Sequence, residues 1–171
     1  MIGSEERRDR LKKRLTESGR PVTGTDLAAE NNVSRQVIVQ DMAVLRAAGC
    51  DIQAGPRGYR ILGPEIDEPR MVVAVRHMPG QTEEELTLLV DAGVEVLDVI
   101  VEHEIYGELR GSLHIAGRDD VKRFLERIKQ SHQSLLSQIT DGVHLHTITA
   151  RSRERLERAA AVLREHGFLV E

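Results

Sequence analysis

The 171-residue sequence predicts an α+β protein of two unlike domains, and three observations support this prediction. Segments in which apolar residues recur at helical spacing are interspersed with segments in which apolar and polar residues strictly alternate. Charge divides the chain near residue 62, because residues 1–62 carry 11 basic and 8 acidic side chains and residues 63–171 carry 13 and 20. All seven histidines lie in the second part. We therefore predict domains at residues 1–62 and 70–171, joined by an acidic, Pro-containing linker at residues 63–69.

The composition argues against several classes of protein. A lone Cys50 cannot form an internal disulfide, which favours a reducing, cytoplasmic location. The longest apolar runs are far shorter than the ~20 residues that cross a bilayer, so we expect no membrane partner. The charged first fifteen residues predict no signal peptide. Because the chain has no Trp, two Tyr and two Phe, its cores are expected to be aliphatic, without platforms for stacking unpaired bases.

The first 62 residues predict a helix-turn-helix. Residues 5–18 form a charged helix with a thin apolar stripe, and residues 21–24 form a turn. Thr25 is the candidate N-cap of a short second helix. Ser34 is the candidate N-cap of a longer helix that runs to about Ala48. A short helix, a tight turn and a longer capped helix are typical of this motif.

The longer helix has an apolar and a polar face. Ile38, Met42 and Leu45 recur at spacings of four and three, which predicts a buried stripe with Val37 and Val44 beside it. Arg and Gln side chains on the opposite face have the donors and acceptors to read base edges in a major groove. The alternative is an ordinary amphipathic helix whose polar face is only solvated. The candidate DNA contacts on this helix are Ser34, Arg35, Gln36 and Gln40.

A hairpin follows this helix. Residues 50–54 and 59–62 are short apolar-containing runs around a Gly-Pro-Arg-Gly turn, and a hairpin at this place is a wing. Arg57 at its tip is a candidate phosphate contact. The segment LAAENNVSRQVIVQDMAVLRAAGCDIQAGPRGYRIL resembles the winged helix-turn-helix of the biotin-repressor type. This resemblance implies that residues 1–62 bind double-stranded operator DNA.

The second half predicts a split βαβ, ferredoxin-like antiparallel sheet with helices on one face. Alternation predicts strands at residues 70–77, 94–103, 108–116 and 143–150, and a short strand at 168–170. Helical spacing predicts a helix capped by Thr82 and two more at residues 119–132 and 153–165. This element order fits a sheet covered on one side, and such a fold by itself assigns no activity.

Histidines mark the candidate chemistry of this half. His144 and His146 point the same way from one predicted strand, which is a common start to a metal site. His77 ends the first strand, and Glu85 lies on the first turn of the following helix. Three histidines and one glutamate suit a divalent transition metal such as Zn, Ni or Fe. Thr82 and Glu85 also match a capping box, which alone would account for both residues.

The other four histidines are not candidate metal ligands. His103 continues the apolar face of the second strand and lies at its end. His114, His132 and His166 are expected at the surface or near helix ends, where they interact with the helix dipole.

Three segments resemble the signature of the three-histidine domain that follows a winged helix in nicotinate-responsive repressors of NAD biosynthesis and niacin uptake genes. They read RH-x₄-TEEEL, VLDVIVEHEIYGELRGSL and LLSQITDGVHLHTITA. The resemblance implies an effector pocket lined by His103 and Tyr106, and Glu104 stands where that family usually has proline. Arg76 is a further candidate for binding the effector. The metal ligands implied by the resemblance are His77, Glu85, His144 and His146.

The leading hypothesis is therefore a homodimeric repressor that senses nicotinate through its metal-bearing domain. A divalent ion held by neutral imidazoles and one carboxylate keeps positive charge for the carboxylate of the effector. Two alternatives keep the site and change its role: the metal itself is the signal, or it is purely structural in a dimerisation domain. A metal hydrolase is a third, but the chain shows no further general base and no phosphate-binding loop, so we expect no enzyme.

Overall fold

The computed structural model describes residues 2–62 and 68–171, so most of the predicted linker, residues 63–67, lies outside the described part. The chain divides into two compact units, residues 1–66 and 67–171, each with its own hydrophobic core. Within the described residues, no helix has both the length and the apolar character needed to cross a membrane.

The first unit is a helix-turn-helix with a wing. Ser34 caps the third helix as predicted, because its hydroxyl accepts a hydrogen bond from the Val37 N–H at 3.3 Å. The second helix begins one residue before the predicted cap Thr25, and Thr23 caps it instead by accepting from the Asp26 N–H at 3.0 Å. The elements of this unit are α1 (Ser4–Ser18), α2 (Gly24–Asn31), α3 (Arg35–Ala47), β1 (Ile52–Gly55) and β2 (Gly58–Ile61).

An ion pair fixes α3 against α1. Asp41 on the inner side of α3 is 3% exposed, and Arg7 of α1 binds its carboxylate with Nε at 2.6 Å and Nη2 at 3.2 Å. Arg8 Nη1 lies 3.6 Å from the same carboxylate. A carboxylate removed from water needs such charged partners, so this pair sets the position of α3 along α1.

The wing packs closely against Val22, two residues before the start of α2. Val22 and Tyr59 exchange two backbone hydrogen bonds of 2.8 Å each. Gly58 adopts a left-handed φ of +113°, and a Cβ there would lie 2.3 Å from the carbonyl oxygen of Val22. Glycine is therefore required at this position by its backbone conformation and by the lack of space.

The second unit is a four-stranded antiparallel sheet with the order β3-β6-β4-β5. The first and second strands are joined by a helix and run in the same direction, with the last strand inserted between them, which is a split βαβ unit. In the ferredoxin-like order the third strand fills that position. Its elements are β3 (Arg70–Arg76), α4 (Thr82–Asp91), β4 (Glu95–His103), β5 (Gly107–Ile115), α5 (Arg118–Gln130), β6 (Val143–Thr149) and α6 (Arg153–Glu165), with 3₁₀ turns at Pro79–Gln81 and Leu136–Thr140.

The helices of this unit form one layer, because α4 packs against both α5 and α6. The core between helices and sheet is aliphatic except for Phe168. The predicted α+β class is therefore confirmed. The strand predicted at residues 168–170 is reduced to a single bridge between Val75 and Leu169.

An irregularity in β5 corrects the expectation for His114. Val96 pairs with Ile115 but Asp98 pairs with Ser112, so β5 has one extra residue here. His114 takes a left-handed φ of +52° and becomes 5% exposed, with Nδ1 3.3 Å from Glu95 Oε1. Strict alternation cannot reveal such a residue. His132 and His166 are exposed, as expected.

We expect Gly58→Ala to destabilise the first unit by more than the ~1–2 kcal/mol that a left-handed alanine costs, because its Cβ also collides with the Val22 carbonyl. Gly49→Ala is the matched control, since Gly49 has a φ of +91° and open space around its Cβ position. Thermal unfolding followed by circular dichroism measures both variants. Equal losses of stability in the two would contradict the collision.

Candidate functional site

Four buried side chains meet beside the end of β3. Glu85 on α4 places Oε2 2.5 Å from His77 Nε2, and its Oε1 lies 3.1 Å from His146 Nε2 and 3.5 Å from His144 Nε2. All four residues are between 1 and 6% exposed. The ligand atoms of His77, Glu85 and His144 lie within 4.8 Å of one another, and His146 Nε2 lies 3.1 Å from His144 Nε2.

Backbone carbonyls assign the protonation of the three rings. The Nδ1 atoms of His77, His144 and His146 lie 2.8, 2.9 and 2.6 Å from the carbonyl oxygens of Met78, Gly142 and Asp98. A carbonyl only accepts, so each Nδ1 carries a hydrogen, and each neutral ring keeps an Nε2 lone pair. These lone pairs converge on one another and on Glu85 Oε1, which has no hydrogen-bond partner in the described structure. A cation at this point would satisfy all of these atoms.

The electrostatics of the cluster keep Glu85 ionised. Burial alone would raise the pKa of Glu85. When the rings carry a second proton on Nε2, the charge of His146 and hydrogen bonds from the three rings lower this pKa well below its usual range. Burial likewise lowers the pKa of His77 and of His146, and the Glu85 carboxylate more than offsets this, so both pKa values rise. A second proton, on Nε2 of His77 or His146, therefore balances the charge of Glu85 when no metal ion does.

Two irregular backbone features hold the cluster in place. The ladder between β4 and β6 shifts between Val96 and Ile100. Asp98 lies in this gap, where its carbonyl accepts from His146 Nδ1 and its carboxylate accepts from the Thr147 N–H at 2.9 Å. Gly142 allows β6 to approach β3, since a Cβ at Gly142 would lie 2.3 Å from the His77 carbonyl oxygen. Sequence analysis did not find either supporting role.

The capping-box alternative for Glu85 is wrong. The N-cap of α4 is Gln81, and the Thr82 hydroxyl donates to the Pro79 carbonyl at 2.8 Å. The 3₁₀ turn before α4 carries its own cap, in which Gln81 Oε1 accepts from the Met78 N–H at 3.1 Å. Because this turn takes over the capping, the Glu85 carboxylate is left to face the imidazoles.

A small pocket of about 40 Å³ lies beside the cluster. Its wall combines side chains from the sheet, from α4 and α5, and from the 3₁₀ turn before β6. Apart from the His/Glu cluster, this wall is mostly aliphatic and aromatic, and its residues are Thr82, Leu86, Val99, Leu113, Phe124, Leu135, Leu136 and Ser137. The segment that contains residues 135–137 has no clear periodicity, which is why sequence analysis missed its contribution.

The three predicted effector residues do not line this pocket in the described structure. Arg76 is exposed and, one residue before His77, faces the opposite side of the sheet. His103 organises the β4–β5 turn, because its Nδ1 accepts from the Ile105 and Tyr106 N–H groups at 3.1 and 3.3 Å. The Tyr106 side chain is 73% exposed, with its ring 5.0 Å from that of His103.

In the first unit, α3 presents the predicted polar face to solvent. Arg35, Gln36 and Gln40 are exposed, whereas Ile38, Met42 and Leu45 are buried in the core. Val44, expected beside the buried stripe, is 47% exposed and lies outside it. Arg57 lies in the two-residue turn of the wing and is partly buried. The Ser34 hydroxyl is engaged in capping α3.

The comparison with known proteins agrees with this organisation. Residues 7–60 match an HTH domain and residues 70–171 match the 3H domain. The chain is 43% identical over 167 residues to the transcription repressor NadR of Bacillus subtilis, covering 96% of this chain and 93% of that protein. It is 44% identical over 168 residues to a probable transcription repressor, NiaR, of Thermotoga maritima, covering 96% and 95%.

A winged helix-turn-helix with an exposed polar helix face, followed by a domain with a buried His/Glu cluster, defines a DNA-binding transcription regulator. One relative is a transcription repressor and the other a probable one, and both align over nearly their whole length. The chain belongs to the family of 3H-domain transcription repressors. It is therefore a regulator that binds DNA and, as expected, not an enzyme.

We expect Arg35→Ala and Gln40→Ala each to weaken operator binding by about 5- to 150-fold, because a side chain that reads a base edge contributes roughly 1–3 kcal/mol. Each variant should also relax sequence preference at one base pair. Fluorescence anisotropy with a duplex selected from a random library measures both effects.

The matched control is Arg10→Ala, which removes an exposed arginine of α1 that pairs with Glu6 at 2.9 Å. It changes the charge of the unit equally but lies outside the predicted DNA-reading face. If Arg10→Ala weakened binding as much as Arg35→Ala, base reading by Arg35 would be wrong.

Proposed function

We propose that this repressor senses nicotinate, through a divalent transition metal held by the His/Glu cluster and the apolar pocket beside it. The observation that carries the proposal is the convergence of three Nε2 atoms on the Glu85 carboxylate, within 2.5 to 3.5 Å. The residues that would hold the metal are His77, Glu85, His144 and His146.

The donor set suits such an ion. Three imidazole nitrogens and one carboxylate are ligands that Zn²⁺, Ni²⁺ and Fe²⁺ accept, with further positions for water or a ligand. Each ring is already oriented by a backbone carbonyl on Nδ1, the outer hydrogen bond usual for metal-binding histidines. The set carries one negative charge, so a bound divalent cation would supply net positive charge to anchor a carboxylate.

The lining of the pocket suits a small aromatic ring. The pocket volume in the described structure is about 40 Å³, far below the roughly 300–1,000 Å³ of small-molecule sites, so its walls must move apart to admit such a ring. Leu86, Val99 and Phe124 offer apolar surface, and the cluster lies at the polar end. A pyridine carboxylate such as nicotinate combines a flat apolar ring with the anionic group that this arrangement accepts.

Sensing requires that nicotinate bind differently to the DNA-competent protein and to its other state. One winged helix reads only a half-site, so we infer a symmetric homodimer on an operator whose half-sites are about 34 Å apart or a multiple of that distance. One part of the pocket wall belongs to the 3₁₀ turn, and two of the four cluster residues belong to the neighbouring strand β6. A ligand between them can change their relative position.

We expect the purified repressor to bind one divalent metal ion per chain and Glu85→Gln to lower the affinity at least tenfold, because a neutral amide replaces the only anionic ligand. Calorimetry with Zn²⁺, Ni²⁺ and Fe²⁺ after chelator treatment measures this. His132→Ala is the control, since His132 is exposed and outside the cluster. Unchanged affinity in both Glu85→Gln and His144→Ala would exclude the site.

We expect nicotinate to change operator affinity in the metal-loaded repressor and Gly111→Ala to weaken this response. A Cβ at Gly111 would lie 3.2 Å from Leu136 Cδ1 and 3.3 Å from Val99 Cγ1, so these two residues of the pocket wall would have to shift. Anisotropy titrations of operator DNA with and without nicotinate measure the response.

Gly117→Ala is the control, because nothing lies within 4 Å of its Cβ position. An operator affinity that responds to the metal alone and is unchanged by nicotinate would replace the proposal by a metal-responsive regulator. Unfolding of the second unit on metal removal, without any effect of nicotinate, would identify a structural site.

A further inference from the structure

We propose that Ser137 selects effectors that carry a hydrogen-bond acceptor on the aromatic ring. The inference rests on the proposed function, because it concerns the same pocket. Ser137 lies in the 3₁₀ turn Leu136–Thr140, lines the pocket, and is 7% exposed. Its hydroxyl forms no hydrogen bond with any part of the chain that the structure describes, whereas its carbonyl accepts from the Gly142 N–H at 2.9 Å.

The other polar side chains of the pocket wall have their donors engaged. The Thr82 hydroxyl donates to the Pro79 carbonyl at 2.8 Å. The Nδ1 hydrogens of the three cluster histidines donate to backbone carbonyls, and their Nε2 atoms face Glu85. Among the described wall residues, Ser137 therefore holds the one side-chain donor still available to a ligand.

The turn keeps this hydroxyl in place before any ligand binds. Gln138 Oε1 accepts from the Leu135 N–H at 2.8 Å, which caps the start of the turn. Asp141 ends it with a left-handed φ of +52°. The neighbours of Ser137 in the pocket are apolar, including Leu135 and Leu136. A ligand acceptor that reaches this hydroxyl gains a hydrogen bond from a donor that no protein group has engaged.

This placement defines the chemistry of the preferred ligand. The carboxylate faces the His/Glu cluster, the ring lies between the apolar walls, and a ring atom with a lone pair accepts from Ser137 Oγ. An unprotonated ring nitrogen has this property and an aromatic C–H does not. Nicotinate and benzoate differ in this one ring atom, so they form a matched pair of probes.

Titration calorimetry of the Ni²⁺-loaded full-length repressor with nicotinate and with benzoate tests the inference. We expect the unmodified protein to bind nicotinate about tenfold more tightly. Ser137→Ala should lose that tenfold for nicotinate and keep its benzoate affinity, so the preference disappears. Folding should be unaffected, because the hydroxyl has no partner in the described structure, and the melting temperature checks this.

Ser134→Ala is the matched control, because Ser134 is exposed in the same segment and does not line the pocket. It should retain the nicotinate preference. An unchanged preference in Ser137→Ala, or an equal loss for both ligands, would overturn the role of Ser137 while leaving nicotinate sensing intact. Failure of the unmodified protein to bind either ligand would overturn both proposals.

Discussion

The Glu85 carboxylate is the group on which the second domain depends. A carboxylate that is 1% exposed is unfavourable unless cations or protons surround it, and here three imidazoles do so. These rings come from the end of β3 and from β6, whereas Glu85 comes from α4. Balancing the charge of Glu85 therefore requires α4, β3 and β6 to hold fixed positions relative to one another. The same positions place the apolar pocket beside the cluster.

Much of this arrangement could be predicted from residue spacing. His144 and His146 alternate along a strand, and Ser34 begins a helix whose apolar stripe is regular, so periodicity alone located both features. The alternation of apolar and polar residues does not predict which side chains are buried where a strand contains an extra residue. The irregularities at Asp98 and His114 shift the faces of β4 and β5, and only the folded backbone shows that His114 is buried.

The pocket was less predictable than the cluster because its wall is assembled from several elements. Leu135, Leu136 and Ser137 lie in a 3₁₀ turn between α5 and β6, where no repeating pattern identifies a buried side. Gln81, not Thr82, occupies the N-cap position of α4. A short 3₁₀ turn precedes this helix, and residue spacing does not reveal such a turn. Local turn geometry thus decided which polar groups face the pocket.

The ion pair between Asp41 and Arg7 lies on the inner side of α3, so the inner and outer sides of this helix have different roles. The inner side holds the helix through a buried charge and the aliphatic core, and the outer side contributes almost nothing to that attachment. Substitutions at the exposed positions 35, 36 and 40, which are the predicted base contacts, should consequently leave the fold intact. On that prediction, a change of operator sequence needs no change in the core of this domain.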